Sequence, residues 1–166
     1  MMSDADVAAK PVGLFDRSTK GLALPTVSVE VERGRIRFFA KALGESDPIH
    51  SDIAAAHAAG YPDLPAPPSF FMAIEAMADE ERARLGQPSL VALLKCDFRR
   101  LLHGDESYAY HGLVFAGDAL QLDTRIIDFY EKKGGLMEFV TIESSVSHAE
   151  RGTLITATRT LLHRLG

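Results

Sequence analysis

The spacing of hydrophobic positions divides the chain into an early helical part and a later part rich in strands. Residues 26–31 alternate β-branched and polar side chains, which predicts a strand. In residues 35–43 the apolar positions recur at i, i+3, i+4 and i+7, the spacing of one helix face. Gly44 follows directly and is the residue expected to end that helix.

Two further helices are predicted before the strands begin. Ser51 or Asp52 can cap a short alanine-rich helix that ends at Gly60. A proline-rich entry over residues 65–70 leads into the longest helix, which ends near Gly86. The first half of this helix is apolar on nearly all sides and is expected to be buried, whereas its charged second half, residues 79–84, is expected to face solvent.

From residue 89 onward the pattern predicts strands. Leu94, Cys96 and Phe98 alternate with charged residues, and three longer strands follow over residues 119–130, 136–147 and 153–163. Glycines at the connections favour antiparallel hairpins. One buried helix followed by an antiparallel meander predicts an α+β fold in which the sheet wraps the helix.

Composition narrows the class of protein. The 166 residues are 46% hydrophobic and 25% charged, which fits one globular domain at residues 26–166 preceded by a polar N-terminal arm at residues 1–25. A net charge of −5 argues against a nucleic-acid partner, and no apolar stretch is long enough for a membrane helix. The acidic N-terminus is unlike a signal peptide, and the single cysteine, Cys96, favours a reducing compartment. A cytoplasmic protein is therefore expected.

The densest polar cluster lies between the first two helices. Glu45, Asp47 and His50 fall within six residues, in a loop that Pro48 stiffens. A carboxylate and an imidazole close together can hold a water molecule and exchange protons with it. The alternative is a plain turn at Asp47-Pro48, with His50 flanking the next helix. Asp47, His50 and Asp52 could in principle hold a metal, but their spacing fits no strong metal-site signature, and no cofactor is expected.

Three ordered segments resemble one family. Residues 39–50 resemble the hydratase motif of MaoC-like dehydratases, which runs aromatic, small, then Gly-Asp-x-Asn-Pro-aliphatic-His. Residues 60–61 and 66–70 resemble the next block of the N-terminal-type, or FAS1-like, dehydratase domains. Residues 102–118 resemble a third block. The resemblance covers roughly residues 26–163 and extends to the (R)-specific enoyl-CoA hydratases.

This resemblance implies a hot-dog fold, in which an antiparallel sheet wraps a long central helix and is usually paired with a second such unit. A single wrapped sheet leaves an edge exposed, so a homodimer or higher homo-oligomer is expected. The resemblance also implies reversible hydration of trans-2-enoyl thioesters and dehydration of (3R)-hydroxyacyl thioesters. The acyl group would be carried by coenzyme A or an acyl carrier protein. The motif carboxylate and histidine would bind the water that adds at C3, while a backbone N–H at the start of the helix steadies the thioester oxygen.

Carried over by position, the resemblance assigns the catalytic pair to Glu45 and His50. Glu45 stands where the family usually has aspartate. Asp47 replaces the family asparagine, so it supports the loop and water or takes over the role of Glu45. Pro68 aligns with the family glycine and has no N–H, which makes Ser69 the nearest oxyanion donor, or else a simple helix-entry residue. Arg99 and Arg100 either meet the phosphates of coenzyme A or form a solvated strand end.

Two other functions remain open at this level. A non-catalytic hot-dog subunit could shape the acyl tunnel of a heteromeric dehydratase, and the replacements at Glu45 and Pro68 favour it. A hot-dog thioesterase would share the fold but not the hydratase-like loop. Fold alone distinguishes none of these activities.

Overall fold

The computed structural model describes residues 12–166, which form four helices and five strands. The helices are α1 (Arg33–Leu43), α2 (Ile53–Ala58), α3 (Phe71–Arg84) and α4 (Leu90–Leu93). The strands are β1 (Val27–Glu30), β2 (Leu101–Tyr110), β3 (Ala119–Lys132), β4 (Met137–His148) and β5 (Gly152–Arg164). They form one antiparallel sheet in the order β1-β3-β4-β5-β2, which confirms the α+β prediction.

The long helix α3 packs its apolar side chains against one face of the sheet. Phe71, Ile74 and Met77 are buried, together with Phe70 just before the helix. They share a core with side chains from β1, β3, β4 and β5: Val27, Val29, Leu120, Leu122, Val146 and Leu154. Burying one such side chain is worth about 1.5–3 kcal/mol, so this contact fixes where α3 begins.

The strand predicted around residues 94–98 is wrong. Residues 90–93 form α4, whose N-cap Ser89 accepts a hydrogen bond from the Ala92 N–H, and a turn over residues 94–100 follows. Leu90 and Leu94 are both buried, at helical rather than strand spacing, whereas Phe98 is 72% exposed. The edge strand β2 that begins at Leu101 was not predicted.

A second part of the core lies at the far end of the sheet. Phe15 and Leu24 pack there with Leu90 and Leu94 and with buried residues of the strands, among them Ile126, Val140, Ile142 and Leu161. Phe15 and Leu24 belong to the predicted N-terminal arm, and residues 1–11 of that arm lie outside the described residues. From Val12 onward, no helix has the length and apolar character needed to cross a membrane.

A buried pair ties this end of the arm to the sheet. Glu138 and His163 are directly opposite on β4 and β5 and are both 0% exposed. The Asp97 N–H donates to His163 Nε2 at 2.9 Å, so the imidazole carries its proton on Nδ1 and donates it to Glu138 Oε1, also at 2.9 Å. The same carboxylate oxygen accepts the N–H groups of Leu14 and Phe15. Glu138 therefore joins the N-terminal arm to two strands of the sheet.

The second half of α3 is only partly exposed, contrary to the sequence prediction. Arg82 is 2% exposed, and its guanidinium Nη1 contacts Asp79 Oδ1 at 3.1 Å. One turn before Asp79, Glu75 is buried against Arg159 of β5. Burial raises the pKa of Glu75 to about 7, because removal from water disfavours the charged carboxylate more than Arg159 favours it.

This pKa predicts that stability falls as pH rises through the range from 4.5 to about 7. The folded protein holds the Glu75 proton more tightly than the unfolded chain, so deprotonation favours unfolding. Residue 75 cannot titrate in the Glu75→Gln variant, which should therefore lack this decline. In wild type the free energy of unfolding should fall by about 3 kcal/mol over the full pH range between the two pKa values. Urea denaturation at several pH values measures it. Glu80→Gln, on the exposed side of the same helix, should keep the wild-type slope, and an unchanged slope in Glu75→Gln would contradict the prediction.

Candidate active site

The loop after α1 is shaped by a sharp helix end. Gly44 takes a left-handed conformation (φ 73°), which costs a glycine little, and the Glu45 N–H returns to the Ala40 carbonyl. Asp47 then caps a single 3-10 turn, Pro48–His50, by accepting the Ile49 N–H at 3.1 Å. The cap of α2 is Asp52, one of the two candidates from the sequence.

His50 is buried at the end of this turn rather than exposed beside it. It is 8% exposed, and its Nδ1 lies 2.7 Å from the carbonyl oxygen of Pro65. Since a carbonyl can only accept, Nδ1 must carry the proton. In the neutral imidazole Nε2 is then the acceptor, and it makes no hydrogen bond to any residue in the 12–166 range. The imidazole is thus fixed in the tautomer that a general base requires.

The two carboxylates accept hydrogen bonds from backbone amides of their own loop. Glu45 Oε1 accepts the N–H groups of Ser46 at 2.9 Å and Asp47 at 3.1 Å, while Asp47 serves as the cap of the turn. In the part of the chain that the structure describes, neither carboxylate bonds to His50. Both are exposed, so each bond to a loop amide is worth only about 1 kcal/mol and can be exchanged for water.

The entry to α3 presents the predicted oxyanion donor in an unusual conformation. Ser69 has φ 68°, which places the left-handed conformation that glycine favours at Ser69 and not at Pro68. Unlike Pro68, Ser69 retains its N–H. That N–H donates to the hydroxyl oxygen of Tyr110, at the end of the edge strand β2, at 3.0 Å. At this entry the left-handed conformation and the N–H both belong to Ser69, and the alignment of Pro68 with the family glycine stays a prediction.

A small apolar cavity lies beside this entry segment. It has a volume of about 110 Å³ and is lined by Ala66, Phe70, Phe71, Tyr110 and Ile155, among others. Pro65, which holds His50, and Ser69 stand at the two ends of the segment that walls it. Tyr110 lines the cavity, whereas His50 and Ser69 do not and are connected to it only through this segment.

Arg99 and Arg100 lie elsewhere. The Arg99 side chain is 87% exposed and pairs with Asp97 at 2.8 Å, and Arg100 donates to the carbonyl of Leu165. They precede the start of β2, whereas Tyr110 ends it. A ten-residue strand is about 30 Å long, so within one chain the structure does not bring these arginines to the cavity.

Comparison with known proteins identifies the family. The profile of the "FAS1-like, dehydratase domain region" matches residues 18–157. The chain belongs to the FAS1-like dehydratase domain family. A curated relative, a UPF0336 protein of Saccharopolyspora erythraea, is 35% identical over 140 residues, which are 84% of this chain and 85% of the relative.

Solved structures show that this FAS1-like domain has the predicted hot-dog fold. The C-terminally truncated HadBC (3R-hydroxyacyl-ACP dehydratase) complex of Mycobacterium tuberculosis has TM-score 0.66 and 23% identity, with 87% of this chain and 96% of that chain covered. A MaoC-like dehydratase of Rhodospirillum rubrum has TM-score 0.60 and 18% identity, with coverages of 93% and 99%. The resemblance to MaoC-like dehydratases is confirmed.

Sequence reasoning missed two partners in the site of the FAS1-like domain. The carbonyl of Pro65 orients His50 from 15 residues away, and the hydroxyl of Tyr110 meets Ser69 from 41 residues away. Tyr110 lies in the third family-like segment, which was the one available signal for it. Within residues 12–166, no group of three or more histidine, cysteine, aspartate or glutamate side chains could hold a metal ion.

The backbone at Ser69 predicts a stability difference. A left-handed conformation costs a residue with a Cβ about 1–2 kcal/mol more than it costs glycine. Part of this advantage is lost in a glycine variant, because glycine gives up more conformational entropy on folding. Ser69→Gly should therefore be more stable than Ser69→Ala by about 1 kcal/mol, as measured by urea denaturation. Equal stabilities, or a less stable glycine variant, would show that this conformation is not held in solution.

Proposed function

We propose that this FAS1-like domain catalyses reversible hydration of trans-2-enoyl thioesters and dehydration of (3R)-hydroxyacyl thioesters. The observation that carries the proposal is the buried His50, with Nδ1 donating to Pro65 and Nε2 left as an acceptor. Membership in the dehydratase family and the apolar cavity beside Ser69 support it. The structurally similar HadBC complex is a 3R-hydroxyacyl-ACP dehydratase, which supports this substrate class.

In this mechanism each fixed group has one task. The acyl chain lies in the apolar cavity, and the thioester oxygen accepts the Ser69 N–H at the start of α3, where the helix dipole also favours negative charge. Nε2 of His50 accepts a proton from water as the water oxygen adds to C3. The proton that Nε2 takes from the water is passed to C2 through the histidine–carboxylate pair, so that both groups end the cycle as they began, and dehydration follows the same steps in reverse.

Glu45 is the proposed acid, with Asp47 as its alternative. Glu45 must release the amides of Ser46 and Asp47 to reach a water molecule beside His50. Asp47 would have to give up its capping bond to Ile49, which shapes the turn that carries His50. Because the Asp47 bond shapes the turn that carries His50, whereas the two Glu45 bonds lie before that turn, Glu45 is the better candidate.

The proposal includes a pairing of two subunits. The edge strand β2 is exposed along most of its length, and an unpaired edge is normally covered or paired. A second hot-dog unit against this edge would give at least a homodimer, and its own Arg99 and Arg100 would then be the ones available to a bound phosphate.

A second candidate function is that of a non-catalytic subunit. Both carboxylates of the loop are bonded to their own backbone, and the Ser69 N–H is occupied by Tyr110. The chain would then shape the acyl tunnel for a catalytic partner. Purified chain assayed alone with a short trans-2-enoyl-CoA separates the two functions, since only the first predicts turnover without a partner.

His50→Asn tests the proposed base. Asparagine can keep a donor for the Pro65 carbonyl but offers no basic nitrogen, so turnover should fall at least ~100-fold while the fold persists. Initial rates with enoyl-CoA and the far-ultraviolet circular dichroism spectrum measure both. His57→Asn is the matched control, because His57 is exposed and bonds only to the Pro62 carbonyl. Near wild-type turnover in His50→Asn would exclude His50 as the base.

The two acids are distinguished by near-isosteric variants. Glu45→Gln removes the proposed acid and should lower turnover roughly 100-fold or more. Asp47→Asn keeps a cap for the Ile49 N–H and introduces the residue that the family motif carries, so it should lower turnover less than about 10-fold. Steady-state rates on both variants make the comparison. The reverse ranking would assign the acid to Asp47, and two small effects would favour the non-catalytic subunit.

A further inference from the structure

Tyr110 holds an unusual position for a structural tyrosine. Its hydroxyl oxygen accepts the Ser69 N–H at 3.0 Å, yet the residue is 48% exposed and lines the apolar cavity. A phenol can accept and donate at once. Along residues 12–166 the Tyr110 O–H donates to no protein group, so its proton is available to a ligand.

The neighbouring tyrosine shows the contrast. Tyr108 lies on the same strand, with its ring centroid 6.1 Å from that of Tyr110, and its hydroxyl donates to Glu106 Oε2 at 2.5 Å. Burial and this bond raise the pKa of Tyr108, and its proton already has an acceptor. Of the two adjacent phenols, Tyr110 is the one that meets the start of α3 with its own proton still unused.

We propose that Tyr110 is a catalytic residue that donates a second hydrogen bond to the thioester oxygen, beside the Ser69 N–H. The incoming oxygen takes the place of the phenol oxygen as acceptor of the Ser69 N–H. The exposed ring then turns slightly and directs its O–H at the same oxygen. Tyr110 keeps its proton throughout and stabilises the negative charge that forms on the oxygen when C3 is attacked. This inference rests on the proposed hydratase function.

The geometry favours this role over a purely structural one. The Ser69 N–H lies at the N-terminal end of α3, where water could satisfy it equally well. A purely structural phenol would add nothing that water does not supply, and it would leave its own O–H without a protein acceptor beside an apolar cavity. Because the Ser69 nitrogen and the Tyr110 oxygen lie 3.0 Å apart beside an apolar cavity, both groups can donate to one enolate oxygen once the phenol has moved aside.

Tyr110→Phe tests the proposal, since it keeps the ring and removes only the hydroxyl. Loss of one oxyanion donor should lower kcat about 100-fold with KM changed less than about threefold. Tyr108→Phe is the matched control and should stay within about threefold of wild type, because its hydroxyl faces Glu106. Turnover by Tyr110→Phe equal to or above that of wild type would overturn the proposal. The hydroxyl would then only satisfy the Ser69 N–H in the absence of substrate.

A binding measurement separates this inference from the proposed function. Infrared difference spectra of butyryl-CoA labelled with carbon-13 at its carbonyl report the hydrogen bonds to that oxygen without any reaction. Binding to wild type should shift the carbonyl band to lower wavenumber, and Tyr110→Phe should lose about half of the shift, since one of two donors is gone. Failure of turnover with the shift intact would refute the hydratase and leave the inference standing. An equal shift in both proteins, or none in wild type, would overturn the inference.

Discussion

The burial of the first half of α3 is the constraint on which the rest of the structure depends. Phe71 and Ile74 are almost completely enclosed, so the helix can neither rotate nor slide without exposing large apolar side chains. The sheet supplies the covering face, and α1 contributes Phe39, whose ring meets Phe70 edge to face at 5.3 Å. The start of α3, and with it the Ser69 N–H, is thereby fixed relative to the sheet.

The segment before α3 is also held in place, by hydrogen bonds to a neighbouring loop. The N–H of Ala66 donates to the carbonyl of Val114, and the N–H of Ala116 donates to the carbonyl of Leu64. Both ends of residues 64–66 are therefore bonded to the loop that precedes β3. The Pro65 carbonyl therefore stands at a fixed place, and His50 is oriented by it. Packing and these hydrogen bonds thus fix the positions of the His50 imidazole and of the Ser69 N–H.

Long segments with a regular hydrophobic period could be predicted from the sequence, whereas contacts between residues far apart in the chain could not. The helices α1 and α3 and the strands β3 to β5 were predicted, because each buries one face over three turns or ten residues. Residues 90–98 failed because an apolar position every second residue is also compatible with a short helix and a turn. His50 was recognisable from its motif, whereas its contact with Pro65 and that of Ser69 with Tyr110 depend on tertiary packing.

The site therefore divides into a rigid half and an adaptable half. His50 and Ser69 are placed by buried contacts, whereas Glu45 and Asp47 are exposed and held only by local amides. In the proposed function, these two groups would set where the thioester and C3 lie, and the carboxylate would have to reach the attacking water molecule. A side chain one methylene longer than aspartate can meet that demand by a change of rotamer, because nothing in the core depends on its conformation. Glutamate at position 45 is therefore compatible with the fold and with the role proposed for its carboxylate.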